Sequence, residues 1–249
     1  MTHYSRSSHV GSCLSICDVL YALYFKVLNV DPTDPFKNDR DKFILSKGHG
    51  SAALYATLAE KGFFPKDYLD RFYIDNGILP GHLDMKAVPG VEVSAGSLGH
   101  GLSLGIGMAI ANKQTKNPGR VFVLLGDGEC NEGSVWEAVM LASTLKLDNL
   151  IAIVDHNKLQ GFGRTHEVIN QANIEERWRA FGWETATVNG HHVQELEAAL
   201  RKQQTSAKVI IATTTKGKGV CFMEDRLEWH YKSTDNDQYQ QAIEEINRQ

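Results

Sequence analysis

The stretch Val121-Phe122-Val123-Leu124-Leu125-Gly126-Asp127-Gly128 decides the fold of this 249-residue chain. Five apolar residues in a row are typical of a strand that is buried on both faces, as in a parallel sheet covered by helices. Asp127 follows at the carboxyl end of that strand, where open parallel sheets bind ligands. The glycines on either side of it allow the main chain to approach a bulky anion closely. The stretch therefore predicts a parallel α/β sheet with a polar site at one edge.

A second polar residue is expected beside Asp127. Another apolar run, Leu150 to Val154, is followed by Asn157, which lies thirty residues after Asp127. Thirty residues is about the length of one strand-helix-strand unit, whose crossover returns the chain parallel to its start. A carboxylate and an amide oxygen, together with main-chain and phosphate oxygens, suit Mg²⁺. Asp-Gly is also a common turn sequence, and only the paired placement after two strands favours a metal site that anchors a diphosphate.

Before and after residues 121–128, segments with a helical pattern of apolar residues alternate with segments typical of strands. They predict an α/β fold, a three-layer, doubly wound and mostly parallel sheet with helices on both faces, and one domain over residues 1–249. Asn76 to Gly101 is rich in glycine and proline and predicts a long functional loop. Helices are expected at Cys13–Leu28, Ser51–Lys61, Leu102–Gln114, Val135–Leu145, Asn173–Phe181 and Val193–Leu200; further strands are expected at Phe43–Leu45, Glu184–Val188 and Val209–Ala212.

Composition excludes several classes of function. Twenty-six basic and thirty acidic residues give a formal charge of −4, which disfavours nucleic acid and anionic membranes as partners. No apolar stretch is long enough to span a bilayer, and the N-terminus lacks the apolar core of a signal peptide. The four cysteines show no CxxC spacing, which favours reduced thiols and a cytoplasmic location. Lys216-Gly217-Lys218-Gly219 lacks the spacing and final hydroxyl residue of a Walker A loop.

Several segments together resemble the N-terminal, thiamine-diphosphate-binding part of the transketolase family. Gly126-Asp127-Gly128 and the run to Asn157 resemble its cofactor signature. The supporting segments occur in family order along nearly the whole chain: Ser8-His9-Val10-Gly11, Leu45-Ser46-Lys47-Gly48-His49, Gly81-His82, Gly96-Ser97-Leu98-Gly99, Glu132-Gly133, and Lys216-Gly217-Lys218-Gly219 through Trp229-His230.

The resemblance implies roles for particular residues. The implied ligands of Mg²⁺, or of another divalent cation such as Ca²⁺ or Mn²⁺, are Asp127, Asn157 and the main-chain oxygen of Leu159. The implied contacts of thiamine diphosphate are His49, Gly96, Leu98, Gly128, Asn157 and His230. The implied catalytic residues, which face the sugars, are His9, His82 and His230. Histidine suits this work because its ordinary pKa lies near neutrality. Glu132 and Glu137 match acidic residues buried at the interface between active sites, although their spacing alone also fits a solvated surface.

The same resemblance implies a partner. In the family, the glutamate that activates the cofactor and the groups that bind a sugar phosphate belong to a separate pyrimidine-binding domain. The chain ends at Gln249, where that domain would start. We therefore expect a two-carbon ketol transfer from a ketose, as a phosphate or a modified sugar, to an aldose, with activity only alongside a C-terminal subunit, most simply as an α₂β₂ assembly.

Two other interpretations remain open on the sequence. The α subunit of a 2-oxoacid dehydrogenase E1 component also divides its thiamine-binding domains between chains, although the Ser-His-x-Gly start and Trp229-His230 favour transketolase. A non-catalytic cofactor-binding module is the second alternative. The intact Asp127, Asn157 and site histidines weigh against it.

Overall fold

Five parallel strands form one sheet in the computed structural model, which describes residues 1–248. The strands are β1 (Lys42–Leu45), β2 (Val121–Gly126), β3 (Leu150–His156), β6 (Glu184–Asn189) and β7 (Lys208–Thr213), and a short antiparallel hairpin consists of β4 (Leu159–Gln160) and β5 (Gly163–Arg164). The sheet order is β1-β2-β3-β7-β6, and every neighbouring pair is parallel. The predicted parallel sheet is confirmed.

Helices cover both faces of the sheet. Their bounds are α1 (Val10–Leu14), α2 (Cys17–Ala22), α3 (Ser51–Lys61), α4 (Gly101–Gln114), α5 (Gly133–Thr144), α6 (Thr165–Val168), α7 (Ile174–Ala180), α8 (Val193–Arg201) and α9 (Asn236–Asn247). Helices α1, α2, α3 and α8 share one apolar cluster with the sheet, and α4, α5 and α7 share the other. The three-layer α/β prediction is therefore confirmed.

The central strands divide their side chains between these two layers. Phe122 and Leu124 of β2 pack with the α1–α3 and α8 layer, whereas Val121, Val123 and Leu125 pack with the α4, α5 and α7 layer. Successive side chains on a strand point to opposite faces, so a strand covered on both sides must be apolar at every position. This explains the continuous apolar run from which the fold was predicted.

The predicted helix Cys13–Leu28 is wrong as a single element. It consists of α1, α2 and a π-helical turn at Leu23–Val27, with non-helical Ile16 between the first two. Ser15 Oγ donates to Asp155 Oδ2 at 2.7 Å and also lies 3.1 Å from the main-chain oxygen of Ser12. Serine side chains of this kind compete with helical main-chain bonds. Apolar residues keep the 3.6-residue spacing across the break, so the break could not be predicted from that spacing.

The remaining differences are small. Strand and helix ends shift by a few residues, and the α6 turn and the β4–β5 hairpin are additions. Within the part of the chain that the structure describes, residues 76–100 form no helix and no strand, as the composition of that loop predicts. No helix among the described residues has the length and apolar character to cross a membrane.

Candidate cofactor site

The predicted neighbours meet at the carboxyl edge of β2 and β3. The parallel register pairs Gly126 with Asp155, so Asp127 and Asn157 follow directly on adjacent strands. The main-chain nitrogen of Asp127 donates to the oxygen of Asp155 at 3.2 Å, and the nitrogen of Lys158 donates to Asp127 Oδ2 at 2.6 Å. The structure therefore brings together the side chains that the spacing predicted to be adjacent.

Asp127 is a buried carboxylate without a cationic side chain bonded to it among the described residues. Its oxygens accept from the nitrogens of Gly128 and Lys158 and from Thr165 Oγ1. Burial, and then the nearby Asp155 carboxylate, raise the pKa of Asp127 to about 6. A carboxylate in this state gains stability from a bound cation, which supplies the missing opposite charge.

Asn157 is oriented by a buried ion pair. Its Nδ2 donates to Asp155 Oδ2 at 2.8 Å, and its Oδ1 accepts from the nitrogen of Leu159 at 3.0 Å. Lys47 Nζ lies 2.6 Å from the same Asp155 oxygen, and both side chains are almost fully buried. Although burial raises the pKa of Asp155, Lys47 and the hydroxyl donors around it hold that pKa below its ordinary value. The amide oxygen of Asn157 is thereby fixed beside Leu159.

Leu159 begins the β4–β5 hairpin immediately after the left-handed residue Lys158, and its side chain is buried. Its main-chain oxygen accepts from Lys216 Nζ at 3.2 Å. Lys216 is itself almost completely buried, and that burial lowers its pKa to about 8. The three predicted metal ligands therefore border a region that also holds two buried ammonium groups, those of Lys47 and Lys216.

The four predicted histidines form a cluster with the ring of His9 at its centre. The ring centroid of His9 lies 5.1 Å from that of His49, 5.0 Å from that of His230 and 6.1 Å from that of His82. His82 is exposed, whereas the others are partly buried. Lys216 Nζ lies 2.6 Å from His230 Nδ1. Because an ammonium group can only donate, Nδ1 accepts, and the proton of the neutral ring is on Nε2.

The site environment keeps these imidazoles neutral. Burial lowers the pKa of His9 to about 4, with further contributions from His82 and Lys216. Burial and then Lys216 lower the pKa of His230 to about 3. Burial and Lys47 hold the pKa of His49 well below its ordinary value. A neutral imidazole donates one hydrogen bond and accepts another, as binding of sugar hydroxyl groups requires.

These shifts predict an acid-labile fold. Below pH 6.5 the unfolded chain takes up protons on His9, His49 and His230 that the folded chain does not, so the free energy of unfolding falls as the pH drops from about 6.5 towards 4. Asp127 and Glu129, whose pKa values burial raises, act in the opposite direction, but they are two groups against the three site histidines and His156, whose pKa burial also lowers. Urea unfolding at pH 7.5, 6.5 and 5.5 measures the slope. A double variant, His9→Gln with His230→Gln, should show a shallower slope, and an unchanged slope would contradict the assignment.

The Gly96–Gly99 segment is tied to the sheet edge by a residue that sequence reasoning missed. The buried Glu129 carboxylate accepts from the nitrogen of Gly99 at 2.8 Å, from the nitrogen of Gly126 at 3.0 Å and from Ser46 Oγ. Glu129 follows Gly128 in the sequence, and nothing in its local pattern distinguishes it from a solvated glutamate. Through it, Leu98 is held at the border of the same cavity as Asp127.

The two predicted interface glutamates lie on the surface of this chain. Glu132 directly precedes α5 and lines the cavity, and Glu137 is one and a half turns into that helix; both are exposed. Their predicted burial against a partner stays a prediction. The neighbouring Trp136 donates from Nε1 to the oxygen of Cys130 at 2.8 Å and packs at 5.7 Å from Trp178.

A cavity of about 430 Å³ connects these groups. Its lining includes most of the predicted cofactor and metal residues: His49, Leu98, Asp127, Gly128, Asn157, Leu159 and His230. Glu132, predicted for the interface, also lines it, whereas Gly96, His9 and His82 do not. Among residues 1–248 no three histidine, cysteine, aspartate or glutamate side chains form a metal cluster, so a cation here would also need amide and main-chain oxygens. Asp127, Asn157 and Leu159 offer that hard oxygen set. The residues present therefore fit a divalent cation with a diphosphate.

Comparison with known proteins agrees with this site. Residues 2–246 match the family described as transketolase, thiamine diphosphate binding domain. The chain is 41% identical over 244 residues to the 6-deoxy-6-sulfo-D-fructose transketolase subunit SqwG of Clostridium sp. (strain MSTE9), covering 97% of this chain and 89% of that protein. It is 43% identical over 245 residues to an apulose-4-phosphate transketolase subunit of Phocaeicola vulgatus, covering 97% of this chain and 87% of that protein.

The solved transketolase of Campylobacter jejuni superimposes with a TM-score of 0.93 at 31% identity, covering 99% of this chain and 40% of that one. The chain thus spans less than half of the solved transketolase. It belongs to the transketolase family, within which it corresponds to the thiamine-diphosphate-binding domain. This membership indicates a transferase of the transketolase type, and it sets aside the 2-oxoacid dehydrogenase alternative.

Proposed function

We propose that this chain is the cofactor-binding subunit of a transketolase that transfers a two-carbon ketol unit from a ketose to an aldose. The observation that carries the proposal is the meeting of Asp127, Asn157 and Leu159 with the histidine cluster at one edge of the sheet. The relatives named as transketolase subunits support it, because this chain covers 87–89% of their length. We further propose that residues 1–249 form one domain.

The cation is proposed to be Mg²⁺, or another hard divalent ion such as Ca²⁺ or Mn²⁺, held by Asp127, Asn157 and the oxygen of Leu159. Gly128, His49 and the Nε2 proton of His230 supply donors to the diphosphate, and the buried ammonium group of Lys216, which has no carboxylate bonded to it among the described residues, balances part of its charge. When bound, thiamine diphosphate supplies a stabilised carbanion for breaking and making the carbon–carbon bond. This chain supplies position, charge and proton transfer.

The sugars are proposed to lie against His9, His82 and His230. Ketol transfer moves protons between hydroxyl and carbonyl oxygens. A bound diphosphate would raise the low pKa values of His9 and His230, because its negative charge favours the protonated rings, and these rings could then accept a proton at one step and return it at the next. The ring of His9 lies 6.1 Å from that of His82 and 5.0 Å from that of His230, and this proximity supports a shared role. Relatives are named for a sulfonated ketose and for apulose 4-phosphate, so we propose a phosphorylated or otherwise modified ketose as the donor.

Gly96 provides a test of the cofactor surface that does not perturb the fold. A Cβ atom at Gly96 would meet only His82 Cδ2, at 3.9 Å, so the free chain has room for a methyl group there. If the rings of the cofactor lie against this loop, Gly96→Ala should weaken thiamine diphosphate binding about tenfold, because the methyl group occupies space that the ligand needs. The melting temperature should not change.

The matched control is Gly133→Ala, which also adds a methyl group into open space. Calorimetric titration of thiamine diphosphate measures both variants. Equal affinities for Gly96→Ala and the unmodified chain would contradict the placement of the cofactor.

The second subunit is proposed to carry the pyrimidine-binding domain and to complete an α₂β₂ assembly. Exposed Glu132 and Glu137 would be buried at that contact, on the same surface as the exposed side chains of Met140 and Leu141 on α5. A cytoplasmic location is part of the proposal. All four cysteines are free thiols in the structure, as a reducing compartment requires.

Reconstitution tests the proposed function. The full chain is mixed with the candidate second subunit, thiamine diphosphate and Mg²⁺, and two-carbon transfer between ketoses and aldoses is compared with decarboxylation of 2-oxoacids. We expect ketol transfer only when both chains are present. A folded, cofactor-loaded complex with neither activity would favour a non-catalytic binding module.

A further inference from the structure

A histidine outside the cluster connects two elements that frame the site. His191 follows β6 after Gly190, and its side chain is 13% exposed. His191 Nδ1 lies 2.8 Å from Asp18 Oδ2 on α2. The main-chain nitrogen of Thr215, in the segment after β7, donates to His191 Nε2 at 2.8 Å. The ring therefore has a partner on each nitrogen.

These two contacts define the tautomer of His191. Nε2 must be unprotonated, because it accepts from a main-chain N–H group. The ring proton is therefore on Nδ1, which donates to the Asp18 carboxylate. Without the Asp18 carboxylate, the ring proton could move from Nδ1 to Nε2. A protonated Nε2 could no longer accept the hydrogen bond from the nitrogen of Thr215.

The Thr215 contact lies just past the end of the sheet, between a main-chain bond from the nitrogen of Thr214 to the oxygen of His156 at 3.3 Å and one from the nitrogen of Gly217 to the oxygen of Gly11 at 2.9 Å. The last main-chain bond between these strand ends runs from the nitrogen of Gly190 to the oxygen of Thr213 at 2.8 Å. Beyond it, the imidazole of His191 takes the place of a main-chain acceptor. The next residue is Lys216, whose ammonium group contacts His230 Nδ1 at 2.6 Å and the oxygen of Leu159 at 3.2 Å. The anchor is thus one residue from the side chain that fixes the proton position of His230.

We propose that His191, oriented by Asp18, is a positioning residue that anchors the main chain at Thr215 and so holds Lys216 on His230. It is not among the residues that line the proposed cofactor cavity. Its effect is to keep the Nε2 proton of His230 facing the site. The functional significance of that proton rests on the proposed function, but the anchor itself can be measured without catalysis.

Two substitutions of similar polarity separate the anchor from general packing. In His191→Gln the amide oxygen can reach the position of Nε2 and still accept from Thr215. In His191→Asn the shorter amide can replace only Nδ1, so the contact with Asp18 survives and the anchor is lost. His192→Asn is the control, because His192 is exposed and caps α8 through Glu195.

The direct readout is the ¹⁵N NMR spectrum of the histidine rings in the purified full chain, with His230 assigned from the spectrum of His230→Gln. We expect the unmodified chain, His191→Gln and His192→Asn to show one His230 tautomer, protonated at Nε2. In His191→Asn we expect a mixture of tautomers or a protonated ring. An unchanged His230 signal in folded His191→Asn would overturn the proposal, as would the same altered signal in His191→Gln.

Asp18→Ala gives an independent route if His191→Asn does not fold. Asp18 is partly exposed, so its removal leaves the core intact, and the His230 signal should change in the same direction. An unchanged signal in Asp18→Ala would then overturn the proposal.

In the assembled enzyme we expect the KM for thiamine diphosphate to rise about tenfold in His191→Asn, with His191→Gln close to the unmodified enzyme. An inactive assembly with the expected NMR changes would contradict the proposed function and leave the anchor standing.

Discussion

Replacement of Asp127 by alanine is expected to remove Mg²⁺-dependent binding of thiamine diphosphate. Asp127 is the single carboxylate in the proposed oxygen set, and its raised pKa shows that the protein alone does not balance its charge. Loss of groups that merely support a metal ligand costs about 10–100-fold in affinity, so loss of the charged ligand itself should cost about 100-fold or more. Calorimetric titration with Mg²⁺ and with EDTA measures the effect, and circular dichroism checks the fold.

The matched control is Asp148→Ala. Asp148 is an exposed carboxylate that pairs with Lys113 far from the cavity, and its side chain is 49% exposed. We expect Asp148→Ala to bind the cofactor as the unmodified chain does. Mg²⁺-dependent binding of equal strength in Asp127→Ala would show that the metal assignment is wrong.

The second large effect is expected on stability. Lys47 and Asp155 form an ion pair in which both side chains are at most 2% exposed. Lys47→Met leaves the Asp155 carboxylate buried without its cation, which should lower the free energy of unfolding by about 3–5 kcal/mol. Asp155 also accepts from Ser15, Thr214 and Asn157, so the loss should extend to the orientation of the metal-site amide. Urea unfolding at pH 7.5 measures the change.

Lys113→Met removes the lysine of an exposed pair and serves as the control, with an expected loss of at most about 1 kcal/mol. Adding Asp155→Asn to Lys47→Met should recover part of the lost stability, because the uncompensated charge is then removed. Equal losses for Lys47→Met and Lys113→Met would contradict the importance of the buried pair.

The elements with a regular pattern of apolar residues could be predicted from the sequence. β2 and β3 are covered by helices on both faces, so each needs an unbroken apolar run, and such runs are visible without any structure. The adjacency of Asp127 and Asn157 follows from the length of one crossover unit and from the shared edge of parallel strands. The apolar pattern of the two strands and the geometry of a parallel sheet were therefore enough to predict that Asp127 and Asn157 are neighbours.

The remaining parts depend on contacts between distant segments. Lys47 and Asp155 are 108 positions apart, and neither neighbourhood indicates that the two charges are buried together. A signal was available in Asp155, a charged residue within a buried apolar strand, because buried charges are paired or bind metals. Glu129 gave no such signal, since its role depends on Gly99 folding back across thirty residues.

The break after α1 has the same origin. Ser15 Oγ donates to Asp155 Oδ2, 140 positions away, and the main chain leaves the helical pattern at the next residue, Ile16. Helical periodicity describes which side chains face the core, and these positions are apolar on both sides of the break. A local pattern cannot show that a serine has a better partner elsewhere in the fold.

The charge arrangement explains how one edge of the sheet can hold an anionic cofactor. Lys47 is neutralised by Asp155, whereas the acceptors of Lys216 among the described residues are neutral, the ring of His230 and the oxygen of Leu159. Because the Leu159 oxygen is also a proposed cation ligand, a cation bound alone would meet both the Asp127 carboxylate and the Lys216 ammonium group. A diphosphate would add negative charge beside both cations, which favours binding of the diphosphate and the cation together over binding of the cation alone.

Native mass spectrometry of the full chain, purified under gentle conditions from its source cells with thiamine diphosphate and Mg²⁺ present, tests the proposed assembly most directly. We predict a complex with two copies of this chain, two copies of a second chain that carries a pyrimidine-binding domain, and one thiamine diphosphate for each pair. Recovery of the folded chain alone and without thiamine diphosphate would contradict the proposal.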